Sequence, residues 1–159
     1  GKVILTSFLG LDDNKIFQQN IFLNQLSIFV NLNCSTIVSI VEDSEFDQLC
    51  DKKLFVRNIY KHNLKWIHMP IADLKAPDHE FKQKWITVKT LLKNDLLRGN
   101  NIVLHCKGGV GRSGTIAALL LIEHGEKNPN AIKHVRKKRQ GAIENDLQEQ
   151  FVLNYKLIT

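Results

Sequence analysis

Ten residues, His105-Cys106-Lys107-Gly108-Gly109-Val110-Gly111-Arg112-Ser113-Gly114, join two apolar runs of different kinds and constrain the fold more tightly than any other stretch. Asn101 to Leu104 is short and β-branched, as a buried strand requires, whereas Thr115 to Ile122 is apolar without a break and stops at Gly125, as a buried helix does. The order is therefore strand, tight loop, helix. Gly108, Gly109 and Gly111 can take backbone angles closed to other residues, so successive N–H groups can turn inward on one anion. The helix that follows adds the positive end of its dipole.

The same alternation runs along the chain. Strand-like runs lie at Val3 to Thr6, Thr36 to Val41, Leu64 to Met69 and Ile102 to His105, with helical stretches between them. Phe81, Trp85, Val88, Leu92 and Leu96 recur near a 3.6-residue period, after Asp78 as a cap and before Gly99 as a stop. Three more helices are expected at Thr115 to His124, Asn130 to Arg139 and Asn145 to Leu157, the last with Leu147, Phe151, Tyr155 and Ile158 on one face. The pattern predicts an α/β fold, a central, mostly parallel sheet of four to five strands with helices on both faces. The glycine loop would sit at the carboxyl end of a central strand, where such sheets bind ligands.

Cys106 stands where the field that attracts an anion also favours thiolate over thiol; such fields bring a free thiol from about 8.5 to roughly 3.5–7.5. Six residues on, Arg112 offers a planar fork of N–H donors that can hold two phosphate oxygens. Nucleophile and clamp form a unit, and the loop amides of Lys107, Gly108, Gly109, Val110 and Gly111 complete a phosphate cradle. A nucleotide-binding P-loop would need a lysine between its second glycine and the hydroxyl residue, and none is there. The other reading of Cys106 is a small buried hydrophobe.

His-Cys, five residues, then Arg and Ser is the signature of the cysteine-dependent protein tyrosine phosphatase superfamily, which this chain resembles at every fixed position. The resemblance implies that His105 orients the loop and helps keep the thiol acidic, and that the Ser113 hydroxyl assists departure of the thiolate. Upstream, Asp73 precedes Pro77 by four residues, the spacing of the family's general-acid loop, so Asp73 is the expected acid. Asp78 is the second candidate, its other reading being a helix N-cap. Near the C-terminus, Arg139-Gln140-Gly141-Ala142-Ile143 leads to Gln148, which by resemblance positions the hydrolytic water, with Gln150 as the weaker alternative and an exposed helix face as the plainer one.

Pro70-Ile71-Ala72-Asp73 and Pro77-Asp78 are most similar to the dual-specificity branch, especially the cyclin-dependent-kinase-associated phosphatases. The implied activity is phosphomonoester hydrolysis through a phosphocysteine intermediate, on phosphotyrosine and/or phosphoserine/phosphothreonine in a protein substrate. Two alternatives stand beside it: a phosphoinositide phosphatase acting on an inositol phospholipid, and a phospho-binding pseudophosphatase. Lys107 occurs in both protein- and phosphoinositide-directed members, but the latter usually add a second basic residue where this chain has Val110.

The 159 residues, 43% of them hydrophobic, suit a single catalytic domain over 1–159. A formal net charge of +6, with a dense run at Arg136-Lys137-Lys138-Arg139, steers anionic partners or simply solvates a helix. No nucleic acid partner is expected. Cys34, Cys50 and Cys106 are an odd number at no metal or redox spacing, and suit a reducing cytoplasm. The remaining histidines, His62, His68, His79, His124 and His134, assemble no metal spacing, and neither cofactor nor metal is implied. No run is long and apolar enough to cross a bilayer, and a monomer is expected.

Overall fold

The computed structural model describes residues 1–157. In chain order the elements are β1 (Val3–Thr6), α1 (Gln19–Asn31), β2 (Cys34–Ser39), α2 (Asp43–Leu49), α3 (Lys52–Lys61), β3 (Lys65–His68), α4 (His79–Leu97), β4 (Asn101–His105), α5 (Gly111–Glu123), α6 (Asn128–Lys138) and α7 (Asp146–Leu153). The four strands form one sheet in the order β1-β4-β2-β3, and each neighbouring pair is parallel. The expected α/β architecture is observed.

Alternation along the strands splits the core between two faces. Val38, Ile40, Ile102 and Leu104 pack with Phe81, Trp85 and Leu92 of α4 and the apolar residues of α5 and α6. Ile37, Val41 and Val103 point the other way, into Phe22, Leu26, Phe46, Phe55 and Ile59 from α1, α2 and α3. α5 serves as the central helix. Eleven of its thirteen residues are buried, which is why it reads as apolar without periodicity.

Several boundaries differ from those the pattern predicts. β2 starts and ends two residues early, and β3 is confined to Lys65–His68, yet the chain beyond stays tied to β2 through Met69 N to Ser39 O (2.9 Å) and Ile71 N to Ile40 O (3.1 Å). Asp78 does cap α4, its carboxylate accepting from Phe81 N at 2.8 Å. α5 begins at Gly111, four residues before the expected Thr115, because the loop turns directly into the helix. α7 ends at Leu153 and buries Gln148 and Val152, leaving Leu147 exposed. Tyr155 falls past that helix, where its hydroxyl donates to Glu123 Oε1 (2.5 Å) and accepts from Trp85 Nε1 (2.8 Å). Ile158 lies outside the described residues.

Candidate active site

β4 lies between β1 and β2, so its carboxyl end opens at the middle of the sheet, and Ile40 N donates to His105 O (2.9 Å) to hold that end in place. The loop then curls over β1: Phe8 N donates to Lys107 O at 3.1 Å. Gly109 adopts φ +71°, and a Cβ there would come within 2.4 Å of the Thr6–Ser7 backbone, so both conformation and close approach demand glycine. The thiol of Cys106 is 3% exposed; Sγ accepts from Gly109 N at 3.2 Å and lies 3.5 Å from Ser113 Oγ. The segment Arg139–Ile143 backs the loop, with Arg139 Nε donating to Gly109 O (3.1 Å).

Arg112 is 2% exposed and its donors are nearly all assigned. NH1 donates to Glu45 Oε2 (2.6 Å) and to Ile71 O (3.1 Å); NH2 donates to Glu45 Oε1 (2.9 Å) and pairs with Asp73 Oδ1 (3.0 Å). Of five guanidinium N–H groups, Nε–H is the one left without a partner among these contacts. An incoming phosphate would therefore meet the Nε–NH2 edge and compete there with Asp73. Burial works against the charged guanidinium, but Glu45 overrides it and raises its proton affinity. Burial likewise disfavours the Glu45 carboxylate, and Arg112 again prevails, holding it below its ordinary value.

Glu45 is the functional side chain that sequence patterning missed. It stands in a run of acids, Glu42-Asp43-Ser44-Glu45, at the carboxyl end of β2, where the sheet topology calls for site residues. Only the turn of α2 singles it out. There Glu42 and Glu45 close a capping box, each accepting from the other's backbone N–H, which aims the Glu45 carboxylate inward.

Asp73 follows the last tie of its segment to β2 by two residues, and its side chain is 55% exposed. That loop is fastened on its other side to the start of α7: Asn145 Nδ2 donates to Leu74 O (3.0 Å), and Gln148 Nε2 makes a long contact with Lys75 O (3.5 Å). Gln148 is fully buried, and its Oε1 accepts from Glu144 N at 3.0 Å, so both ends of its amide are engaged within the protein. Gln150 is exposed and apart from this cluster. The Glu144 carboxylate borders the loop instead, in space that a Cβ on Gly111 would occupy (Oε1 at 1.7 Å). Asp78 is spent on its cap.

Behind the thiol, His105 is fully buried, and burial pulls its imidazole down to about 3, so it is neutral. Its Nε2 lies 2.6 Å from Ser39 Oγ, which accepts from Trp66 Nε1 at 2.8 Å. Lys107 is exposed at the loop's edge. Cys34 pairs in register with Asn101, at the far end of β2 and β4 from Cys106, and burial pushes its thiol up. Cys50 ends α2 and is pushed up to about 12 by burial and by Asp51. Burial disfavours the thiolate at both.

A buried cysteine on a glycine loop that opens a helix, an arginine fixed edge-on and a carboxylate brought to it from the loop after β3 are the arrangement of a cysteine-dependent phosphatase of the protein tyrosine and dual-specificity class. A family model described as the Swiss Army Knife protein DSP-PTPase phosphatase domain matches residues 18–152, and the chain belongs to that family. Protein tyrosine phosphatase type IVA 3 of Bos taurus is 29% identical over 130 residues, which is 77% of this chain and 73% of that protein. The crystal structure of Tk-PTP in the active form superposes with a TM-score of 0.73 at 26% identity, covering 96% of this chain and 89% of that one. Kinase associated phosphatase superposes at 0.78 over 98% of this chain and 89% of its own, but at 20% identity it speaks for the fold alone.

Proposed function

We propose that this domain hydrolyses phosphomonoesters of proteins, on phosphotyrosine and/or phosphoserine/phosphothreonine, through a phosphocysteine on Cys106. The thiolate attacks phosphorus in line, while Arg112 and the amides from Lys107 to Arg112 hold the equatorial oxygens. Asp73 protonates the departing alkoxide or phenoxide, then takes a proton from the water that attacks the phosphocysteine. Ser113, 3.5 Å from the sulfur, hydrogen-bonds the leaving thiolate. Gln148 acts by holding Glu144 and the acid loop rather than by touching water.

The observation that carries this mechanism is the shared guanidinium: Asp73 and the substrate-facing edge of Arg112 meet at 3.0 Å, beside the loop that bears Cys106. A protein substrate is favoured because Val110 leaves Lys107 as the loop's lone cation besides Arg112. A cytoplasmic monomer suits three unpaired thiols. Among the described residues no helix is long and apolar enough to cross a membrane.

The test is phosphate release from para-nitrophenyl phosphate, phosphotyrosine and phosphothreonine peptides and inositol phospholipids, run beside Cys106→Ser. Turnover on peptides that vanishes in the variant, with phosphate-ester binding kept, supports the mechanism. Wild-type rates in the variant would end it. Release from lipids alone would favour the phosphoinositide reading that Lys107 motivates, and binding without turnover the pseudophosphatase.

A further inference from the structure

We infer that Ser39, oriented by Trp66, is a positioning residue that fixes the tautomer of His105 and through it the first residue of the phosphate loop. The inference rests on Cys106 as the nucleophile. Ser39 Oγ is fully buried and has two partners, Trp66 Nε1 at 2.8 Å and His105 Nε2 at 2.6 Å. An indole N–H can only donate, so it occupies a lone pair of Oγ. That leaves the hydroxyl proton with Nε2 as its acceptor.

The alternative arrangement fails on its own accounting. With the ring proton on Nε2, Ser39 Oγ would accept twice, its hydroxyl proton would have no acceptor, and Nδ1 would be a bare lone pair in a dry interior. With the proton on Nδ1, every polar atom of the relay is used except that one N–H. Among the described residues, Nδ1 is the one buried side-chain nitrogen or oxygen without a hydrogen bond. The Cys106 backbone still acts on the ring in the sense that favours a proton, at a geometry short of a full hydrogen bond. Because the imidazole is neutral, the choice lies between two tautomers, and the partner of one nitrogen decides the state of the other.

The backbone arranges this relay. Ser39 stands in register with His105 across β2 and β4, and the rings of Phe8 and Phe55, at 5.3 and 5.9 Å, hold the imidazole between them. Trp66 reaches Ser39 from the edge strand β3. Strand order, not sequence proximity, brings the three together.

The deciding measurement is 15N NMR of the histidine rings in the intact chain, with Nδ1 of His105 expected to be the protonated nitrogen. Protonation on Nε2 in the wild type would overturn the inference without any variant. Ser39→Ala should release the tautomer, and should slow alkylation of Cys106 by iodoacetamide near neutral pH and lower kcat, both by about tenfold, with KM little changed. Ser39→Thr, which keeps the hydroxyl, should restore all three, and Trp66→Phe should fall between. Unchanged tautomer and alkylation in Ser39→Ala, or equal losses in Ala and Thr, would make Ser39 a packing residue. Alkylation does not require turnover, so a chain that hydrolysed no ester would still report on the relay.

Discussion

Replacing Glu45 by alanine leaves Arg112 with Ile71 O and Asp73 as its remaining partners, and only Asp73 carries charge. The pair is well buried, with side-chain exposures of 2% and 10%, and both N–O distances are below 3 Å. Removing one member of such a pair costs about 3–5 kcal/mol, and the surviving contacts place this case near 3. For a domain of this size that corresponds to a melting point lowered by about 6–12 °C. The catalytic consequence is separate: an arginine no longer held edge-on presents Nε and NH2 poorly to phosphate, so KM should rise about tenfold or more. Glu45→Gln keeps the shape and one acceptor, and should show a smaller loss of both kinds. The pH dependence adds a sign. Because Arg112 holds the folded-state carboxyl below its ordinary value of 4.5, this contribution is complete above that value and is lost as pH falls through the folded value. The Gln variant should therefore lack part of the wild-type acid limb. Thermal melts across pH, beside steady-state kinetics, read all of this. A Glu45→Ala protein that melts within a degree or so of wild type would refute the buried-pair magnitude, and one with unchanged KM would refute the orienting role.

Asp73→Asn should slow turnover of esters with poor leaving groups far more than para-nitrophenyl phosphate, by roughly two orders of magnitude against little change, since only a poor leaving group needs the proton; equal loss for both would assign the acid elsewhere. Gly109→Ala forces a Cβ to within 2.4 Å of backbone at φ +71°, so circular dichroism should show a folded but less stable chain with phosphate release reduced at least tenfold; wild-type kinetics would contradict the close approach. His105 is neutral when folded but titrates near 6.5 when unfolded, so unfolding takes up a proton and stability falls by about 1.4 kcal/mol per pH unit below 6.5. Denaturant titrations should show that slope persisting in a His68→Asn/His124→Asn double variant, which removes the two other imidazoles that burial pulls down; a flat dependence would mean that His105 is charged or solvated.

What was legible in the sequence was what local chemistry enforces. The glycine loop, the strand before it and the Asp78 cap each depend on neighbours within a few residues. Asp73 is singled out by its spacing to Pro77, whereas its contact with Arg112 is visible only in the fold. Glu45, Ser39 and Trp66 were not found, because each acquires its role from strand order. β2 lies next to β4 although α2, α3, β3 and α4 separate them in the chain, and nothing local marks a serine in an apolar strand as facing a histidine 66 residues away. For Gln148 the sequence offers a water-positioning role by resemblance or an exposed helix face; the turn of α7 that exposes Leu147 buries the glutamine against Lys75 and Glu144.

Strand order also explains how the acid loop and the phosphate loop can act in sequence. β2 sends its carboxyl end into α2, which carries Glu45, while β3 on one side leads to Asp73 and β4 on the other leads to Cys106 and Arg112. The guanidinium is the point where these segments converge, and its donors divide accordingly. The edge facing Glu45 is fixed by two short contacts in a buried pair, whereas the contact to Asp73 involves a side chain 55% exposed and is correspondingly weak. On the proposed mechanism, a phosphate dianion arriving at the Nε–NH2 edge would displace Asp73 and not Glu45. Displacement would free the carboxyl group beside the ester oxygen to be protonated, so that binding of the phosphate and delivery of the acid would be one exchange of partners on Arg112. Glu45→Gln and Asp73→Asn act on opposite edges of that exchange and share one residue, so their effects on kcat/KM should be non-additive by about 0.5–3 kcal/mol in a double-mutant cycle. Strict additivity would separate the two carboxylates and leave Asp73 to act without Arg112.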